Sequence, residues 1–327
     1  MIISRTPFRM SFFGGGTDYP DWFRQHGGAA LATTINRYCY LTCRFLPQFF
    51  EHKSRIVWSR IEQVSGTEEI EHPAVRAVLN HLDIKVGVEI HHQGDLPAKT
   101  GLGSSSAFTV GLLHALHALK GKSVGRHDLA REAIYVEQTL LNETVGIQDQ
   151  IQTAVGGLNH LVFHTDGTFS VHPVVLSPQR LRDFQDHFVL VFTGISRHAS
   201  VIAAEQVANM PNRTSDLRVM HSMVDEGLKV LSGKGPLAEF GKLLHEGWKL
   251  KRTMAARISS SEIDDVYERG LRAGAYGGKL LGAGGGGFML FCVAPEKRTA
   301  LLDALRGLVH VPLEFERGGS QLIYYES

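Results

Sequence analysis

Alternation of apolar and polar positions dominates the first third of the chain. The stretches "ALATTINRYCYLTCRFL" (30–46), "SRIVWSRIEQV" (54–64) and "GVEIHHQGDL" (87–96) are enriched in β-branched and aromatic residues and predict strands. A short helix in "HPAVRAVLNHL" (72–82) interrupts them. From Ser104 onward the spacing becomes helical through "AFTVGLLHALHALKG", "RHDLAREAIYVEQTLLN" and "IQDQIQTAVGG", each closed by glycine or a glycine-containing turn. "LNHLVFHTDGTFSVHPVVL" predicts a hairpin turning at Asp166-Gly167, and "HFVLVFTG" a further strand. Helices are expected near 198–209, 214–232, 236–256 and 260–273, then a glycine-rich hairpin at 279–293, one more helix and closing strands. The class is α+β, mixed sheets with helices, and the change of pattern near residue 185 suggests two domains, 1–185 and 186–327.

The bulk composition narrows the function classes. With 327 residues, 43% of them hydrophobic, the chain can bury a full core. Lys and Arg total 34 against 33 Asp and Glu, so no net field favours nucleic acid or an anionic membrane, and a small-molecule partner is expected. Three cysteines make no disulfide framework, and Cys39 and Cys43 sit in a strand-like run as packing residues. No run of about 18 apolar residues and no leader-like N-terminus is visible, which points to a soluble cytoplasmic protein. The 17 histidines show no H-E-x-x-H or Cys/His ligand spacing.

The chemistry concentrates in three glycine-rich stretches. In "PAKTGLGSSSAFTVGLL" (97–113), two glycines and three serines stand at the mouth of a helix. A helix N-terminus presents unpaired N–H groups and a partial positive charge. Gly101 and Gly103 would let an anion approach the backbone, and Ser104, Ser105 and Ser106 offer caps and hydroxyls for phosphate or Mg²⁺. It is neither a G-x-x-x-x-G-K-[ST] loop, since no lysine follows Gly103, nor a dinucleotide fingerprint, since Ser106 and Ala107 stand where a third glycine is needed. The second stretch, "RTPFRMSFFGGGTDYPDW", breaks a strand at Gly14-Gly15-Gly16 and presents Thr17 and Asp18. The third, "GGKLLGAGGGGFMLF", places Gly282 and Gly284 to Gly287 between two apolar halves. Taken singly, each is as compatible with a structural turn as with a ligand site.

Together, in this order, "TPFRMSFFGGGTDY", "PAKTGLGSSSAFTVG" and "KLLGAGGGGFMLF" resemble the three motifs of the GHMP kinases, and the resemblance spans nearly the whole chain. Within that family, "FFGGGTDYP" is similar to the branch that holds D-glycero-D-manno-heptose 7-phosphate kinases and the kinase part of fucokinases. The resemblance implies the two-domain GHMP kinase fold with the active site in the cleft between domains. It also implies ATP and Mg²⁺ as cofactors and transfer of a phosphoryl group to the anomeric hydroxyl of a small-molecule sugar phosphate, with L-fucose as the alternative acceptor and a non-catalytic nucleotide- and sugar-binding regulator as the rival class. No membrane partner is implied, and a homodimer stays open.

The same resemblance assigns residues. The phosphate cradle is Lys99, Gly101, Leu102, Gly103, Ser104, Ser105 and Ser106, with Ser105 and Glu137 as Mg²⁺ ligands. Asp149 is the catalytic aspartate, as base or only as orienting group, and Arg9 the cation beside it. Gly15, Gly16, Thr17 and Asp18 would contact the sugar, Gly284 and Gly285 would approach from the other domain, and Arg197 would hold a substrate phosphate. Trp58 is expected near the adenine, with a cross-strand core role as the alternative.

Overall fold

A computed structural model describes residues 1–98, 100–195 and 199–326. The strands are β1 (Ile2–Phe13), β2 (Gly28–Phe45), β3 (Ser54–Val57), β4 (Ile61–Val64), β5 (Val88–Gly94), β6 (Leu158–Phe163), β7 (Phe169–Pro173), β8 (Phe188–Phe192), β9 (Ala275–Leu280), β10 (Phe288–Val293), β11 (Val309–Val311), β12 (Phe315–Glu316) and β13 (Gln321–Tyr325). The helices are α1 (Pro20–His26), α2 (Pro73–His81), α3 (Ser104–Leu119), α4 (Arg126–Tyr135), α5 (Gln148–Val155), α6 (Pro178–Asp186), α7 (Ala199–Asn209), α8 (Thr214–Ser232), α9 (Ala238–Thr253), α10 (Ser261–Arg272) and α11 (Arg298–Ala304).

The larger sheet is organised by β2, which is long enough to hold three partners, β6, β12 and β5, on one side. Its first part pairs with β6 from Gly28 opposite Phe163 to Thr33 opposite Leu158, and its second with β5 from Cys39 opposite Gly94 to Phe45 opposite Val88. Antiparallel β1 occupies the other side. The path runs β13-β1-β2-β5-β3-β4, with β3 parallel to β5 and the rest of the path antiparallel. Helix α3 is apolar on almost every side because it is covered on almost every side, burying eleven residues from Ser106 to Ala118. It lies so close to the sheet that the Ser4 hydroxyl donates to the Gly111 carbonyl at 2.8 Å.

A smaller antiparallel sheet, ordered β11-β8-β10-β9, begins at β8, just past residue 185. Its central strand β10, "FMLFCV", is buried on both faces, which explains the unbroken apolar run. The two sheets meet over a cluster of phenylalanines. Phe12 of β1 lies with ring centroids 5.4 Å from Phe184, 5.2 Å from Phe188 and 5.4 Å from Phe240. Tilted and edge-on contacts of this kind suit the aromatic quadrupole, and they tie β1, α6, β8 and α9 into one core.

Three features depart from the sequence reading. Helix α1 begins with Pro20 at its first turn, directly after the glycine turn, and buries Trp22 and Phe23. Helix α6 is capped by Ser177, whose hydroxyl accepts the Arg180 N–H at 3.2 Å, yet it buries only Phe184, so its apolar periodicity is nearly silent. Strands β12 and β13 leave the second half and pair with β2 and β1 in the larger sheet. We therefore propose the division at residue 185 with the final strands counted in the first part. Among the described residues no helix is long and apolar enough to cross a membrane. Cys39, Cys43 and Cys292 are buried free thiols.

Candidate functional site

The three glycine-rich stretches converge on one cavity of about 1060 Å³ lined from both sheets. Its first wall is the mouth of α3. The residue that caps this helix is Gly103, at φ +71°, rather than a serine as expected. The first backbone bond of the helix runs from Ala107 N–H to the Gly103 carbonyl at 2.9 Å, which leaves the N–H groups of Ser105 and Ser106 outside the helical ladder. Gly101, Gly103, Ser104, Ser105 and Ser106 all line the cavity. Leu102 does not: it is buried, and its carbonyl accepts the Arg9 N–H at 3.0 Å. The expected contribution of Lys99 lies outside the described residues.

Asp149 stands in the first turn of α5, facing this mouth. Arg9, 5% exposed, grips it through two bonds: Nε donates to Oδ1 and Nη2 to Oδ2, each at 2.6 Å. The remaining Arg9 nitrogen donates to the Gly101 carbonyl at 2.7 Å, so one guanidinium fixes both the aspartate and the cradle. Arg9 is thus an interior residue rather than one at a strand edge.

Glu137 projects from a single π-helical turn, Val136–Leu140, that follows α4. It is 1% exposed, and burial pushes its carboxyl up to about 7. Its Oε2 accepts from the Ser106 hydroxyl at 3.0 Å and from the Gln150 amide, whereas Oε1 has no partner. The serine that touches Glu137 is thus Ser106, while Ser105 stands exposed on the cavity wall. A buried carboxylate with one oxygen unpartnered, beside an anion cradle, fits a Mg²⁺ ion of the kind that takes one or two carboxylates plus substrate phosphates. Among the described residues there is no group of three or more His, Cys, Asp or Glu that would hold a metal by itself.

The triple-glycine turn lines the opposite end. Gly14, Gly15, Gly16 and Asp18 face the cavity. Asp18 accepts the Gly16 N–H at 2.9 Å, and burial together with the nearby Asp149 charge pushes it up to about 6. Thr17 is corrected: it is fully buried, and its hydroxyl lies 2.8 Å from the Gly14 carbonyl and 2.9 Å from that of Ala29, holding the turn rather than a ligand. Gly284 and Gly285 are corrected too. The Gly285 N–H is engaged by the Ile258 carbonyl at 2.8 Å, and it is Gly282 and Ala283 that line the cavity. Gly282 meets the cradle directly, since a Cβ there would fall 2.3 Å from the Gly101 Cα. Arg197 lies outside the described residues.

Trp58 reaches the cavity on the far side of the cradle. Its indole N–H donates to Glu62 Oε1 at 2.7 Å and its ring meets His72 edge-on at 4.8 Å. His72 stacks on Phe108 at 4.6 Å, and His92 meets Phe108 edge-on at 5.0 Å. Burial lowers the basicity of both histidines, whose rings with Trp58 and Phe108 form an aromatic slot. Sequence reasoning missed His72, His92 and Phe108, and also two lysines of the wall, Lys251 and Lys279.

A helix mouth that can hold an anion, a clamped aspartate beside it and an aromatic slot behind it make an arrangement suited to phosphoryl transfer. Comparison with known proteins carries this further. Residues 70–157 match the GHMP kinases N terminal domain and residues 228–308 the GHMP kinases C terminal domain, together just over half of the chain. The chain belongs to the GHMP kinase family and is a phosphotransferase of the ATP-using kinase type. It is 26% identical over 321 residues to the D-glycero-alpha-D-manno-heptose 7-phosphate kinase of Campylobacter jejuni, covering 93% of each chain. An L-fucokinase/L-fucose-1-P guanylyltransferase of Bacteroides fragilis is also 26% identical, over 92% of this chain but only 35% of that longer protein. Among solved structures, a D-glycero-D-manno-heptose 1-phosphate kinase from Bacteroides thetaiotaomicron superposes with a TM-score of 0.81 at 23% identity over the full length of both, a likeness of fold.

Proposed function

We propose that this GHMP kinase is an ATP- and Mg²⁺-dependent sugar kinase that phosphorylates the anomeric hydroxyl of D-glycero-D-manno-heptose 7-phosphate to the 1,7-bisphosphate, in the cytoplasm, for nucleotide-activated heptose synthesis. The observation that carries the catalytic part is the Arg9 clamp: a carboxylate held on both oxygens at the mouth of α3 can orient an attacking hydroxyl without moving itself. The heptose phosphate is supported by the Campylobacter jejuni relative, which matches over 93% of each chain.

In this reading the adenine lies in the slot of Trp58, His72, His92 and Phe108, and the phosphates meet the N–H groups at the mouth of α3. Glu137 and Ser105 would hold Mg²⁺, which supplies charge neutralisation for the phosphates. Asp18 accepts hydrogen bonds from sugar hydroxyls beyond the triple-glycine turn, and Asp149 accepts the proton of the reacting hydroxyl or aligns it. Arg9 holds Asp149 in place and faces the developing phosphoryl charge. Leu217, Met220, Met223, Leu244 and Met254 form an apolar flank that keeps water from the acceptor end.

A coupled ADP-release assay with ATP, run with D-glycero-D-manno-heptose 7-phosphate beside L-fucose and mannose, with Mg²⁺ or with a chelator, tests the reading. Turnover with the heptose phosphate alone, abolished by the chelator, is expected. Turnover with L-fucose alone would transfer the assignment to the substrate of the Bacteroides relative. ATP binding without ADP release from any sugar would favour a regulator.

A further inference from the structure

Two ammonium groups of the cavity wall play no part in the reaction as derived above. Lys251 stands near the end of α9 and Lys279 on β9, and both line the cavity that holds Arg9, Asp149 and Asp18. Lys279 is only 8% exposed. Lys251 donates to the carbonyls of Leu280, at 3.3 Å, and of Gly282, and Lys279 donates to the carbonyl of Phe12 at 2.9 Å. Carbonyl dipoles satisfy some of the N–H groups but cancel no charge. Among the described residues neither lysine forms an ion pair, because Asp149 is already paired with Arg9.

A half-buried Lys251 and a buried Lys279 beside a neutral Arg9–Asp149 pair leave Asp18 as the nearby carboxyl that answers them. Burial and the Arg9 charge push Lys251 down to about 8, and burial with the Lys251 and Arg9 charges pushes Lys279 well below the usual lysine range. A lysine in such a place gives up its proton more readily, and an anion joining it would hold the ammonium form. The placement says where that anion would sit. Gly282, whose carbonyl Lys251 touches, abuts Gly101 of the cradle, and Phe12, whose carbonyl Lys279 touches, directly precedes Phe13 and the triple-glycine turn beside Asp18.

We infer that Lys251 and Lys279 form a phosphate-binding pair, separate from the mouth of α3, that spans the gap between the cradle and the acceptor end of the cavity. The group it binds is a phosphate, which arrives either as the phosphoryl group in transfer or as the phosphate already carried by the acceptor; the choice between these sources rests on the kinase reading, the binding itself does not.

The test begins with inorganic phosphate titrated calorimetrically into the nucleotide-free protein, for wild type, Lys251→Met, Lys279→Met and Lys251→Arg. Each methionine variant is expected to weaken phosphate binding by about tenfold or more, the scale of a lost charge-assisted contact, while Lys251→Arg keeps most of the affinity, which a merely structural role would not predict. Unchanged affinity in both methionine variants would place the phosphate at α3 alone and overturn the inference. Steady-state kinetics then separate the sources. A rise in KM for the sugar phosphate at nearly unchanged kcat identifies the acceptor's phosphate; a fall in kcat at nearly unchanged KM identifies the transferred group. If the wild type releases no ADP with any sugar, the kinase reading falls while the phosphate titration still decides the pair.

Discussion

Asp18 holds its carboxyl where water barely reaches, with the Gly16 N–H on one oxygen and the Asp149 charge nearby. Its folded value of about 6 lies above the ordinary 3.8, so the folded protein binds this proton more tightly than the unfolded chain does. The contribution of Asp18 to stability is therefore greatest below about pH 4, declines as pH rises to about 6, and is constant and unfavourable above that. In denaturant titrations across this range, the difference between wild type and Asp18→Asn should grow in favour of the variant as pH rises. If Asp18 binds the sugar as proposed, its ionised form would do the accepting, so kcat/KM for the acceptor should climb to a plateau above about pH 6, a limb that Asp18→Asn abolishes. A pH-independent stability difference would contradict this account. That Asp18, Asp149, Arg9 and Glu137 come together on one cavity was legible through the resemblance to the family's motifs. Lys251 was not, because "WKLKRT" reads as a solvated helix end, and only the tertiary fold turns that lysine onto the cavity. His72 was hidden similarly, since a histidine before proline reads as a helix cap, which it also is.

At the scale of elements, the cleft depends on two backbones touching. Gly101 sits at φ +85°, and a Cβ there would fall 2.3 Å from the Leu281 carbonyl, so the cradle and the third motif meet only while both lack side chains. Gly101→Ala should lower stability by about 1–3 kcal/mol, combining left-handed strain with overpacking, and should reduce turnover more than tenfold by moving the Arg9–Gly101 contact. Urea unfolding and ADP release measure the two effects; wild-type values in both would show that the close approach is dispensable. The strands and long helices were readable because their periodicity runs for many residues. Helices α1 and α6 were not: α1 has seven residues and is entered through the glycine turn, and α6 commits only Phe184 to the core.

For the whole molecule, the phenylalanine cluster holds the two walls of the cleft in register. Phe184 is 1% exposed and touches Phe12, Phe188, Phe240 and Phe315. Phe184→Ala should cost about 3–5 kcal/mol of unfolding free energy, read from a urea midpoint shift at unchanged slope, and a loss under about 1 kcal/mol would refute its central place. The return of β12 and β13 to the first sheet could not be read locally, because strand pairing across 280 residues of chain or more leaves no trace in periodicity. A cleft lined by residues of both halves is present.

The central claim is that Asp149, clamped by Arg9, aligns the acceptor for phosphoryl transfer. Its most direct test is the kcat for ADP release of Asp149→Asn against wild type, at saturating ATP, Mg²⁺ and D-glycero-D-manno-heptose 7-phosphate. A fall of about a hundredfold or more, with the KM for ATP nearly unchanged, is predicted. A kcat within a few-fold of wild type would contradict the account.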